Sequence, residues 1–156
     1  MTGTQLSFGA GDAGLEVVEI WCDGGSRGNP GPAAIGALVV DPSTDPPTRL
    51  ATVSERIGTT TNNVAEYRSL IAGLEAARPF GARAVRVRAD SQLVVRQVEG
   101  RYKVRQAHLR PLLVRVQELL ARYEEVDVGH VGRAENAAAD ALVNAALDLR
   151  DPGDAT

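Results

Sequence analysis

Four acidic residues stand where a solvated side chain is not the simplest outcome. Asp23 ends the apolar run LEVVEIWC and is followed at once by GGSRGNPGP, and Asp90 ends the run AVRVRA. Glu66 lies early in TTTNNVAEYRSLIAGLEAA, on the side of Leu70, Gly73 and Leu74. Asp140 sits in NAAADALVNAAL, with Val143 and Leu147 at helical spacing beside it. A carboxylate held against apolar surface is costly unless it keeps its proton or meets a counter-charge. Nothing cationic in the Asp140 segment is spaced to pair with it, although Asn136, one turn earlier, is placed to hydrogen-bond it. Acids from four separate elements suggest a convergent cluster around a hard divalent ion. Mg²⁺ suits oxygen ligands and keeps waters for substrate phosphates. The Cys/His spacing of a zinc site and the GxxxxGK[ST] phosphate loop are both missing. Ordinary alternatives stay open: Asp23 as a turn former before Gly-Gly, and Asp90 as the cap of a helix over SQLVV.

The elements that must position these acids follow from hydrophobic period and turn chemistry. Strands are expected over 15–23, 33–41 and 49–58, the last more polar and nearer an edge, joined as an antiparallel meander. A helix follows, capped by Asn62 or Asn63 and ended near Pro79 and Gly81. Then come a strand over 84–90, a short helix ended by Gly100, the basic loop RYKVRQ, a helix over 108–123 with Pro111 in its first turn, a strand over 124–131 and a helix from about Asn136. Strands joined through helices should run parallel. The expected fold class is therefore α/β, with a five-stranded mixed sheet flanked by helices. Residues 1–14 read as a flexible leader, 15–149 as the domain, and 150–156 as a flexible tail or the start of a linker.

The bulk numbers narrow the function classes. The 156 residues are 44% hydrophobic, enough for one core without staples. Cys22 is the single cysteine, so no intrachain disulfide forms, and its apolar neighbours read as a buried strand. The leader lacks a basic stretch followed by an apolar core, and no apolar run reaches the roughly 18 residues of a membrane helix. A soluble cytoplasmic protein is expected, with no membrane partner. The net charge of −3 argues weakly against nucleic acid, but a surplus of acids is also what a metal site produces.

DGGSRGNPGPA, TNNVAEY, ADSQLVV, GRYKV and HVGRAENAAAD occur in the order and approximate spacing of type 1 ribonuclease H, which the chain resembles over roughly residues 16–148. The resemblance implies the ribonuclease H-like fold, with strands 1–3 antiparallel and strands 1, 4 and 5 parallel. It implies an endonuclease that hydrolyses the RNA strand of RNA/DNA hybrids with two Mg²⁺ ions, Mn²⁺ being possible, and leaves 5′-phosphate and 3′-hydroxyl ends. By residue, it implies that Asp23, Glu66, Asp90 and Asp140 are the catalytic acids and metal ligands. It makes His130 the mobile-loop histidine that helps move a proton and release product. Gly24, Ser26, Asn29, Asn62, Asn63, Gln92 and Asn136 would lie against the substrate, several reading 2′-hydroxyls in the minor groove. Thr61 would meet a DNA phosphate.

The sequence departs from part of the family in one respect. Some members insert a long basic handle between two middle helices, whereas EGRYKVRQAHLR runs almost directly from one helix to the next. Arg101, Lys103 and Arg105, with Arg110, are candidates to replace its phosphate contacts, and Arg27 is a further one. The alternative is a solvated basic loop. Some handle-less relatives are fused to a C-terminal phosphatase-like domain, which gives the tail a second reading. Nothing in the sequence demands a dimer, so a monomer is expected. Two other functions fit the same residues: a hybrid-binding module that does not cleave, and a DNA nuclease of the same fold.

Overall fold

The structure is a computed structural model and describes residues 14–149. The expected leader and tail fall almost entirely outside these residues. Five strands, β1 (Val17–Ser26), β2 (Gly31–Asp41), β3 (Thr48–Thr60), β4 (Ala84–Ala89) and β5 (Glu125–His130), form one sheet in the order β3-β2-β1-β4-β5. The β1–β2 and β2–β3 pairs are antiparallel, and the β1–β4 and β4–β5 pairs are parallel. This is the expected mixed sheet. Four α-helices complete it: α1 (Asn62–Ala77), α2 (Gln92–Val98), α3 (Arg110–Leu120) and α4 (Ala137–Asp148). No helix among the described residues is long and apolar enough to cross a membrane.

Alternation along the strands decides which helix covers which face. Val18, Ile20 and Cys22 of β1 and Val85, Val87 and Ala89 of β4 point to one side. There they bury against Tyr67, Leu70 and Leu74 of α1, Val94 and Val95 of α2, and Val116 and Leu119 of α3. On the other side Ala34 of β2 packs with Val143 and Ala146 of α4. Residue parity puts Asp23 on the α4 face and Gly24 on the α1 face.

Several element boundaries differ from the sequence expectation, including those of β1, α1 and α3. β1 continues through Ser26, because Gly24, Gly25 and Ser26 still pair with Ile35, Ala34 and Ala33 of β2. The parallel pairing with β4 nevertheless stops at Cys22–Ala89, so Asp23 is the first residue beyond it. The cap of α1 is Thr61, whose hydroxyl accepts the Val64 N–H at 3.3 Å, and Asn62 and Asn63 are already helical. The α3 helix ends at Leu120, not Tyr123, and a 3₁₀ turn over Ala107–Leu109 leads into it.

Two glycines set how near the acid-bearing helices come to the sheet. A Cβ on Gly24 would lie 2.1 Å from the Ala65 carbonyl oxygen of α1. A Cβ on Gly36, which pairs with Asp23, would lie 2.5 Å from the Ala139 carbonyl oxygen of α4. Both obstacles are backbone and cannot swing aside. Gly24→Ala should therefore destabilise the domain by at least about 2 kcal/mol, the scale of overpacking a close-packed contact. Urea unfolding of the two proteins measures this, and an unchanged midpoint would refute it.

Candidate active site

Asp23, Asp90 and Glu66 meet at the carboxyl ends of the parallel strands, the usual place for a site in an open α/β sheet. One carboxylate oxygen from each lies within 4.8 Å of the other two. Asp140 stands outside that triplet but lines the same open cleft, about 500 Å³, together with Gly24, Ser26, Asn62 and Asn63. All four acids are half-buried. Among the described residues none of them is in a salt bridge with Arg or Lys. The Asp90 alternative is removed, because Ser91 caps α2 by accepting the Val94 N–H at 3.3 Å.

Each acid is held by its element. Glu66 sits one turn into α1, and its Oε1 accepts the Gly24 N–H at 2.8 Å, tying the helix to the strand next to Asp23. Asp140 lies in the first turn of α4. Its Oδ2 accepts from Asn144 Nδ2 at 3.3 Å, so its partner is one turn later, not the Asn136 expected one turn earlier. Asn136 is buried and donates instead to the Cys22 carbonyl at 2.9 Å. That bond moors the start of α4 to β1, and it takes Asn136 away from the cleft surface where a substrate contact was expected.

The electrostatics are those of charges forced together. Burial, and then the charge of Asp90, push the Asp23 carboxyl up to about 7. Burial, and then Asp23, raise Glu66 well above the usual carboxylate range, with the Gly24 N–H working against the rise. Burial likewise raises the Cys22 thiol, which leaves it inert beneath the acids. Three hard oxygens at this spacing, with no salt-bridging cation beside them among the described residues, fit a divalent cation of the Mg²⁺ class.

The other expected residues divide by location. The loop between β1 and β2 is pinned to α1: Ser26 N–H and Oγ donate to Asn62 Oδ1 at 2.9 and 3.1 Å. In return Asn29 Oδ1 accepts the Asn62 N–H at 3.0 Å. Arg27 lines the cleft and is paired with Asp148 at 2.7 Å. Thr61 is the α1 cap, and Gln92 is exposed on the first turn of α2. His130 is exposed at the end of β5, in register with Ala89 and so beside Asp90, but it does not line the cleft. Arg101, Lys103 and Arg105 line a second cleft of about 480 Å³, which shares Asn63 with the first. Sequence reasoning missed Asn144 and Arg133, which also line the acid cleft. The spacing of Asn144 from Asp140 was the available signal for the first, while Arg133 carried none.

The raised Asp23 gives a stability signature. Its unperturbed value is 3.8, so between about pH 4 and about pH 7 the folded chain holds a proton that the unfolded chain has released. Its contribution to stability is thus full at low pH and is lost as pH rises through that window. In chelator, Asp23→Asn should melt higher than the parent above pH 7 and at the same temperature near pH 4. Added Mg²⁺ should shrink the difference, because it stabilises only the parent's full acid set. Equal melting at all pH values would contradict this charge balance.

The chain matches the family described as "Reverse transcriptase-like" over residues 21–146. It is 49% identical over 131 residues to the bifunctional protein Rv2228c of Mycobacterium tuberculosis, covering 84% of this chain and 35% of that protein. The chain thus spans about a third of the length of that relative. The solved N-terminal RNase H domain of Rv2228c superposes with a TM-score of 0.80 at 48% identity, covering 85% of this chain and 99% of that one. The ribonuclease H of Halorhodospira halophila is 39% identical over 151 residues, covering 85% of this chain and 93% of the relative. LC11-RNase H1, solved in complex with an RNA/DNA hybrid, gives a TM-score of 0.77 at 40% identity over 84% of this chain and 96% of that one. With the sheet order and the acid cluster, these matches place the chain in the type 1 ribonuclease H family.

Proposed function

We propose that this domain is an endonuclease that hydrolyses the RNA strand of RNA/DNA hybrids. The observation that carries the reading is the cluster of Asp23, Glu66 and Asp90 in an open cleft that Asp140 also lines. Asp23, Glu66, Asp90 and Asp140 would hold two divalent cations, Mg²⁺ by preference and Mn²⁺ as a substitute. When bound, such ions neutralise the carboxylates and act as Lewis acids on a phosphodiester and its attacking water. The residues of the chain supply placement and proton handling. An oxygen from water joins phosphorus, the bond from phosphorus to the 3′-oxygen breaks, and that oxygen takes a proton. The products then carry 5′-phosphate and 3′-hydroxyl ends. His130, exposed at the end of β5 in register with Ala89, would carry a proton between the cleft and solvent and help product leave.

Substrate selection would come from the loop pinned to α1. The Ser26–Asn62–Asn29 hydrogen bonds hold Gly24, Ser26, Asn29, Asn62 and Asn63 as one rigid surface at the cleft mouth. A surface of amides and a hydroxyl suits 2′-hydroxyl recognition across a minor groove, which separates RNA from DNA without reading sequence. Gln92 extends that surface, while Thr61, Arg27, Arg101, Lys103 and Arg105 would meet phosphates. We further propose that the domain acts as a monomer in the cytoplasm. The greater length of the relative named as bifunctional is consistent with fusion to a second, phosphatase-like domain.

An end-labelled RNA strand annealed to DNA tests the reading with Mg²⁺, with Mn²⁺ and with chelator. Cuts within the RNA that need metal and are absent on duplex DNA are expected. Binding without cuts would indicate a hybrid-binding module, and cuts in duplex DNA a DNA nuclease. Losing an outer-shell partner costs about 10–100-fold at metal sites, so Asp23→Asn and Asp140→Asn, which remove a ligand, should cost more. Full activity in either would refute the assignment. His130→Ala should lower kcat by about 100-fold or more, as loss of a proton carrier does, with folding unchanged.

A further inference from the structure

The second cleft owes its shape to a buried polar connection that begins beside the acid cluster. Tyr67, next to Glu66 in α1, is fully buried, and its hydroxyl donates to Gln97 Oε1 of α2 at 2.6 Å. Gln97 is also buried, at 5% exposure, and its Nε2 donates to the Lys103 carbonyl at 3.4 Å. A buried side-chain amide spans two elements and ends on the backbone of the basic loop. Such a group is costly unless satisfied, so an apolar side chain here would be the cheaper way to fill the core. The loop is braced at its start as well. The Arg101 and Tyr102 N–H groups both donate to the Arg96 carbonyl, at 2.8 and 3.2 Å. Arg96 also pairs with Glu99 at 3.0 Å. The result is a short, preorganised connection that presents Arg101, Lys103 and Arg105 around exposed Leu93 and Tyr102, continuous with the acid cleft at Asn63.

We infer that Gln97 is a positioning residue for substrate binding: through Tyr67 and the Lys103 carbonyl it holds the basic loop at a set distance from the acid cluster. This rests on the reading of the domain as a hybrid nuclease. A flexible loop would pay ordering entropy on each encounter, and a braced loop pays it on folding. Gln97 lies at the buried floor of the second cleft and outside the acid cleft, so its loss weakens binding and leaves turnover of bound substrate intact.

The test uses Gln97→Met, similar in length but without either hydrogen bond. In steady-state cleavage of a short RNA/DNA hybrid with Mg²⁺, KM should rise about 5–10-fold with kcat within about twofold of the parent. Hybrid affinity in chelator, by fluorescence anisotropy, should fall by the same factor. The slope of log affinity against log salt should become shallower by about one phosphate contact. The decisive comparison is made in an Arg101→Ala/Lys103→Ala background, where the effect of Gln97→Met should drop below about twofold because the cations it positions are gone. An equal loss in that background, a fall in kcat at unchanged KM, or no change overturns the inference and leaves the nuclease reading standing. A parent chain that neither binds nor cuts the hybrid removes both. If Gln97→Met does not fold, Tyr67→Phe, which removes only the hydroxyl, is judged by the same criteria.

Discussion

A side chain on residue 24 would collide with the backbone of α1, and the site depends on that missing side chain. With hydrogen alone at Gly24, the helix settles against β1 closely enough for the Gly24 N–H to reach Glu66 Oε1 at 2.8 Å. That bond places an acid of α1 beside Asp23 although 42 residues separate the two partners. Gly36 does the same on the opposite face of the sheet, where α4 comes close to β2 at the rung that carries Asp23. The acids of two helices are thus brought to one strand residue from both faces.

Bringing them together works against electrostatics. Burial and mutual repulsion raise both Asp23 and Glu66. The fold offsets this with interactions that lie outside the charged atoms. Large apolar side chains of α1 lock that helix on one face, and Val143 and Ala146 lock α4 on the other. The buried Asn136 amide moors α4 to the carbonyl just before Asp23. The exposed ion pairs, such as Arg27–Asp148 and Arg115–Glu118, contribute little by comparison. Stability sits in the core and charge repulsion at the site, where a divalent cation would relieve it.

The two clefts show the same division. Beside the acid cleft, the Asn62 N–H of α1 donates to Asn29 Oδ1 across the loop–helix junction, while Thr61 caps the helix. At the second cleft the short connection between α2 and α3 is braced by the main chain of α2 and by the Tyr67–Gln97 bond.

Much of this was legible in the sequence, for reasons of period and punctuation. Alternating and continuous apolar runs gave the strands, and the change to helical spacing after Thr61 gave α1. Strand-helix order gave the mixed sheet, and an acid inside an apolar helix marked Asp140. The motif resemblance named the four acids together. Hydrogen bonds between distant residues have no sequence period and stayed hidden until the chain was folded. Thr61 and not Asn62 caps α1, because Asn62 is engaged by the β1–β2 loop. Asn144 and not Asn136 supports Asp140, because the Asn136 amide is spent on Cys22. The continuation of β1 past Asp23 followed from pairing with β2 alone. The residues themselves determined which groups could do chemistry and on which elements they ride. Tertiary packing decided which carboxylates share one space, because the distance between a helix and a strand depends on two side chains that are not there.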